Sequence, residues 1–417
     1  MKLSPTRSVL LKNFTSLSAV QIANYLFPLI TLPYLVRVLG PEGYGLFNFA
    51  FAFIAYFVTL SDYGFNLTAP REISINRDNK EKLTEIFSSV LSIKAGLLVV
   101  GFIVLFVVVN LFSKFKENEI IYYAMFLIAV GHAIYPLWFF QGMEKMKYIS
   151  FTTITIKAIT VLLVFLLVKT RSDLFTLVTI HSISSLALGV SGIGFVFLKF
   201  KVRFKLQSLN TLKYHFFEGG YIFLSTAAIN LYTSTNTFVL GLFAGDAIVG
   251  YFSAADKIRA AVQSLFSTVS QTVYPHLAAV FSRSFEEGIT FVKKMTRYFG
   301  GISFLACLLV FIFSDKIILL VLGSQYEQSI LVLRIISFLP FIILMNNIAG
   351  IQTMLNIGYK KEFSKIIMVA AVINLVISFS IVPVFYEIGS AASVVITEIY
   401  VTLAMIVFLI RKGIKII

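Results

Sequence analysis

Residues 95–110 read AGLLVVGFIVLFVVVN, sixteen consecutive positions without a charge. Extended to 84–110, the stretch exceeds the roughly 20 mainly apolar residues that a helix needs to cross a bilayer. Eleven more stretches of this kind surround it: 14–37, 44–68, 120–141, 151–168, 174–198, 214–243, 247–282, 298–314, 328–356, 366–385 and 388–410. Together they dominate a chain of 417 residues that is 58% apolar and 13% charged, with a mean hydropathy of +0.89. A soluble domain averages about 45–50% apolar and about 25% charged residues, so no soluble interior would hide this excess. Composition therefore excludes a cytosolic enzyme and a disordered chain, and the single Cys307 excludes a disulfide scaffold. The expected class is an all-α membrane protein of about twelve transmembrane helices.

The net charge is +15. In a soluble protein that would suggest nucleic acid; here its distribution by loop points elsewhere. With the N-terminus placed inside, the inner segments carry 24 Lys and Arg against 7 Asp and Glu, and the outer segments 5 against 8. The spans carry 6 against 5. Such alternation follows the rule that basic residues stay on the cytoplasmic side, and it places both termini inside. Residues 1–13 lack an apolar core followed by a small-residue cleavage site, so the first hydrophobic stretch reads as a span.

The best internal boundary is the basic segment Lys199–Lys213, with six spans before it and six after. Two lobes are expected, 1–206 and 207–417, related as parallel transporter repeats are. The turns GPEGYGLF at 40–47 and GDAIVGYF at 245–252 each place a short acidic turn before an aromatic residue and a glycine at a span start. Gly189, Gly192 and Gly194 lie within a span and read as sites of close helix packing.

No Walker A pattern, HExxH pattern or Cys/His zinc spacing is present, so no metal site is expected. The outer loops are too short to house a catalytic region, and transport within the membrane remains. Ionisable residues inside spans cost about 2.5–3.5 kcal/mol each on insertion scales and need a partner or a watery cavity. Asp256, Arg259, Gln263, Ser267 and Ser270 recur along one face of the eighth span. That face lines a cavity, or else Asp256 and Arg259 merely pair. Gln21 and Asn24 on the first span, and Asn230 and Thr233 on the seventh, form similar polar faces, and Pro28 and Pro33 would loosen the first span. Lys94 and Lys157 have no acidic partner in their own helices. Each faces a cavity that receives an anion, or snorkels to the interface. Asp62 binds a coupling cation, or caps helix ends or pairs with Arg71; the latter is preferred. Glu398, central in the twelfth span, is the best candidate for a protonatable group, and His132 reads as a packing residue.

Several stretches carry a family resemblance: LPYLVRVLGPEGYG at 32–45, DYGF at 62–65, APREI at 69–73, WFFQGMEKM at 138–146, YFSAADKIR at 251–259, YP at 274–275 and LGSQY at 322–326. In this order they resemble the O-antigen translocases, Wzx-type flippases. These form part of the polysaccharide-transporter branch of the multidrug/oligosaccharidyl-lipid/polysaccharide exporter superfamily. The resemblance implies two six-helix lobes in a MATE-like V around a central cavity. It implies a flippase that moves an undecaprenyl-pyrophosphate-linked O-antigen repeat unit from the cytoplasmic to the periplasmic leaflet of a bacterial inner membrane. Polysaccharide polymerase and chain-length machinery are the expected partners besides the bilayer and the lipid-linked substrate; nucleic acid is not. Lys94, Lys157, Lys257 and Arg259 would attract pyrophosphate, and Gln21, Asn24, Asn230, Thr233 and Gln263 would bond sugar hydroxyls. No cofactor is expected; proton or sodium coupling at Asp62, Asp256 or Glu398, or consumption of product, would give direction. A multidrug cation antiporter and a membrane polymerase or ligase are the alternatives.

Overall fold

The computed structural model describes residues 5–416, with side chains from residue 19 onward except 221–222, 224–226 and 228–234. Every regular element among the described residues is a helix. In chain order they are α1 (Pro5–Asp62), α2 (Phe65–Ile75), α3 (Lys80–Leu111), α4 (Ser113–Lys116), α5 (Glu119–Ile134), α6 (Leu137–Gly142), α7 (Met146–Leu167) and α8 (Leu174–Lys199). Then follow α9 (Leu209–Phe243), α10 (Asp246–Phe281), α11 (Phe285–Ile312), α12 (Ser314–Val321), α13 (Ser329–Ile336), α14 (Leu339–Asn347) and α15 (Lys360–Arg411). Eight helical stretches among the described residues have the length and apolarity to cross a membrane. The first and the last are 57 and 52 residues long, about twice what one crossing needs. Each is broken inside, at Gly40 (φ 70°) and at Tyr386 (φ 47°), so each supplies two passes. α9 and α10, of 35 and 36 residues, are also long enough to cross a bilayer. Only glycine adopts the Gly40 conformation without strain. The helix continues through Pro28 and Pro33, and its break lies beyond them.

The opening stretch on α3 explains why this is a membrane fold. Gly101, Leu105 and Val109 recur every four residues and are buried, while Val99, Val100, Phe102, Ile103, Val104, Phe106 and Val107 face outward. One narrow stripe packs, and the rest is an apolar surface that water would reject.

The chain divides into two compact units. The first comprises Met1–Thr31 and Ala50–Asn230, the second Leu32–Phe49 and Leu231–Ile417. The first unit is built around Phe65, Ile73, Phe87, Trp138, Phe139, Phe140 and Val196. Its most extensive helix pair is α5 with α8. A Cβ on Gly189 would lie 2.7 Å from the Gly131 carbonyl oxygen, and one on Gly192 would lie 2.6 Å from Pro136 Cδ. These two glycines permit the close approach, as expected; Gly194 faces open space. α6 packs on α2: a Cβ on Gly142 would meet the Pro70 carbonyl oxygen at 2.8 Å. Arg77 clamps the same corner, with Nε donating to the Gly142 carbonyl at 2.7 Å and Nη2 to Glu144 at 2.7 Å.

The second unit has its core at Leu277, Val292, Ile348, Met354, Ala370, Met405 and Leu409. The turns at 40–47 and 245–252 cross here. A Cβ on Gly45 would lie 2.8 Å from the Gly250 backbone nitrogen, and one on Gly250 would lie 3.1 Å from Pro41 Cα. A second anchor joins 32–45 to 322–326. Arg37 Nη2 donates to the Leu320 carbonyl at 2.7 Å, and Gln325 Nε2 donates to the Val36 carbonyl at 2.9 Å. Both acceptors belong to the last turns of helical segments, where carbonyls lack intrahelical partners.

Candidate functional site

α1, α5, α6, α7 and α8 of the first unit enclose a cavity of about 470 Å³. Its polar lining comes from Gln21 and Asn24 on α1, His132 on α5, Gln141 on α6, and Thr153 and Lys157 on α7. Asp62, Asn66, Tyr135 and Ser185 complete the polar wall. Local packing aims these groups. The α5–α8 contact at Gly131 sets Ser185 on the wall, where its hydroxyl donates to the Ile128 carbonyl at 3.0 Å. Tyr135 and Thr153 share a 2.7 Å hydrogen bond across α5 and α7. Lys157 Nζ donates to Asn24 Oδ1 at 2.6 Å. Among the described residues no carboxylate lies within ion-pair distance of Lys157, so its charge faces the cavity uncompensated.

Lys94 is placed differently. Its side chain is 1% exposed and does not line the cavity; Nζ lies 3.0 Å from Asp62 Oδ1. Asp62, which does line the wall, therefore pairs with Lys94, and the expected pairing with Arg71 gives way to this one. The partner came from a helix that spacing within α3 does not reveal. His132, expected to pack, is exposed toward the cavity. Gln141, Asn66 and Tyr135 are further wall residues that the sequence reading passed over. Gln141 ends the apolar run Trp138–Phe140, and that abrupt change of polarity is the one local signal of its position.

The remaining candidates sit in the second unit. Asp256 and Arg259 pair at 2.7 Å, and Arg259 also donates to Gln263, so the polar face of α10 carries an internal ion pair. Lys257 is exposed on the same helix. Glu398 is 6% exposed and accepts from Asn346 Nδ2 at 2.6 Å. The side chains of Asn230 and Thr233 lie outside the described residues. One helical turn beyond Thr233, a buried polar seam was not foreseen. Ser378 donates to Asn236 Oδ1 at 2.9 Å, and Asn374 donates to Thr397 Oγ1 at 3.0 Å.

A family model described as "Polysaccharide biosynthesis protein" matches residues 10–281. The chain belongs to that family. It is 36% identical over 397 residues to an Escherichia coli (strain K12) protein named "Putative O-antigen transporter", covering 95% of this chain and 96% of that one. A Shigella dysenteriae protein of the same name is 31% identical, over 95% of this chain and 98% of its own length. Among solved structures, the chain resembles the inward closed conformation of the lipid II flippase MurJ (TM-score 0.68, 14% identity, 97% of this chain and 90% of that chain). It also resembles the inward-facing conformation of a multidrug resistance MATE family transporter (TM-score 0.67, 14% identity, 97% and 98%). At such identities the likeness concerns the fold. The fold of this family member thus places its polar groups among helices long and apolar enough to cross a membrane.

Proposed function

We propose that this member of the polysaccharide biosynthesis family is a flippase for a lipid-linked, pyrophosphate-bearing oligosaccharide. The observation that carries the reading is the uncompensated Lys157 ammonium in a polar cavity of a membrane-embedded helical unit. Full-length similarity to proteins named as O-antigen transporters supports it. The substrate in this reading is an undecaprenyl-pyrophosphate-linked O-antigen repeat unit, moved from the cytoplasmic to the periplasmic leaflet of the inner membrane with both chain termini cytoplasmic. Lys157 attracts the pyrophosphate, and Gln21, Asn24, Gln141 and Thr153 exchange hydrogen bonds with sugar hydroxyls. The cavity is exposed alternately to the two sides. Glu398 and the Asp256–Arg259 pair are the candidate coupling groups for a proton or sodium ion. A polymerase and chain-length machinery take the product.

A cation antiporter fits this cavity less well, because Asp62, the one carboxylate on its wall among the described residues, is already paired with Lys94. The deciding experiment deletes the gene and locates the lipid-linked repeat unit. A flippase leaves it on the cytoplasmic leaflet. Accumulation on the periplasmic leaflet would instead identify a polymerase or ligase and end the proposal.

A further inference from the structure

A second cluster in the first unit has no part in the cavity. Glu72 of α2, Glu85 of α3, and His215 and Glu218 of α9 converge next to Lys82. Donor atoms of Glu72, His215 and Glu218 all lie within 4.8 Å of one another. His215 is 3% exposed, its Nδ1 3.3 Å from Glu72 Oε2 and its Nε2 3.8 Å from Glu85 Oε1. Nε2 has no hydrogen-bond partner, and neither does the buried Glu218 Oε2. Lys82 is engaged by Glu85 at 2.7 Å. Three carboxylates thus face a single ammonium, and two of them converge on an imidazole with a free lone pair or proton. Carboxyl groups packed together with no cation between them must take up protons or repel one another. A divalent cation takes the place of those protons and gives both orphaned atoms a ligand role.

We propose that Glu72, His215 and Glu218, with Glu85 as a further donor, bind one first-row divalent cation that pins the head of α9 to α2 and α3. One imidazole among carboxylate oxygens suits zinc, manganese or iron better than magnesium or calcium, which favour oxygen alone. Small side-chain shifts suffice to bring donors that all lie within 4.8 Å of one another onto one ion at about 2.0–2.2 Å each. α9 is the helix through which the chain passes from the first unit to the second, at Asn230 and Leu231. A cation here fixes the first part of that helix to the unit it leaves.

The test uses the full-length protein in detergent, stripped with chelator and then freed of it. Zinc chloride is titrated by calorimetry, and zinc X-ray absorption is recorded on the loaded protein. One zinc per chain and a shell of one imidazole with oxygen donors are expected. His215→Ala and Glu218→Gln should each weaken binding at least about tenfold, in line with the loss of a metal-site contact. Should His215→Ala fail to fold, the near-isosteric Glu218→Gln still reads the loss, and the wild-type absorption spectrum needs no variant. Absence of stoichiometric zinc, a shell without imidazole, or undiminished binding by Glu218→Gln would overturn the site in favour of protons shared between the carboxylates.

Discussion

The Asp62–Lys94 pair makes an asymmetric prediction. Lys94 is 1% exposed and Asp62 31% exposed, so only one of the two charges can turn to water when its partner is removed. Asp62→Ala strands a buried ammonium. Breaking a buried pair from that side costs about 3–5 kcal/mol, and the partial exposure of Asp62 points to the lower end. Lys94→Met removes the buried charge and leaves a carboxylate on a cavity wall that hydration can serve, at about 1 kcal/mol. Each kcal/mol shifts Tm by roughly 2–4 °C in a chain of 150–250 residues, and by about 1–2 °C in one of this length. Asp62→Ala should therefore lower the midpoint by about 3–6 °C, Lys94→Met by about 2 °C or less, with the double variant close to Lys94→Met alone. The assay is thermal unfolding of purified protein in detergent, followed by the fluorescence of the single tryptophan, Trp138, which is buried in the core of the same unit. Equal damage from the two single variants, or no rescue in the double variant, would refute the reasoning.

Two further outcomes follow from other contacts. Gly189→Leu should abolish folded protein, because its side chain would enter Ile134 and the Gly131 backbone, whereas Gly194→Leu, facing open space, should express normally; size-exclusion profiles of the pair decide. Lys157→Met should fold but cut surface O-antigen display at least about tenfold, with Lys157→Arg retaining part of it, as expected for a charge that recruits an anion; full display by Lys157→Met would remove the anion-binding role.

Fold class was legible in the chain because crossing a bilayer is a local demand: about twenty apolar residues, with basic residues held on one side. The glycines at 189 and 192 were legible too, since small residues within a span have few other uses. Gly194 shows the limit of that rule, because the same residue type on an outward face meets nothing.

What the sequence could not contain is who meets whom. Lys157 and Asn24 are 133 positions apart, and Lys94 and Asp62 are 32 apart, so no spacing within one helix predicts either contact. In the cluster of Glu72, Glu85, His215 and Glu218 only His215 and Glu218 stand at a ligand spacing, i and i+3 on one helix; three helices assemble the rest. The sequence alone determined the membrane class and the family, because these rest on composition, periodicity and contiguous motifs. Only the tertiary structure decided which lysine pairs with a carboxylate and which, among the described residues, has only an amide partner, because electrostatic partnership acts over a few ångströms of space regardless of distance along the chain.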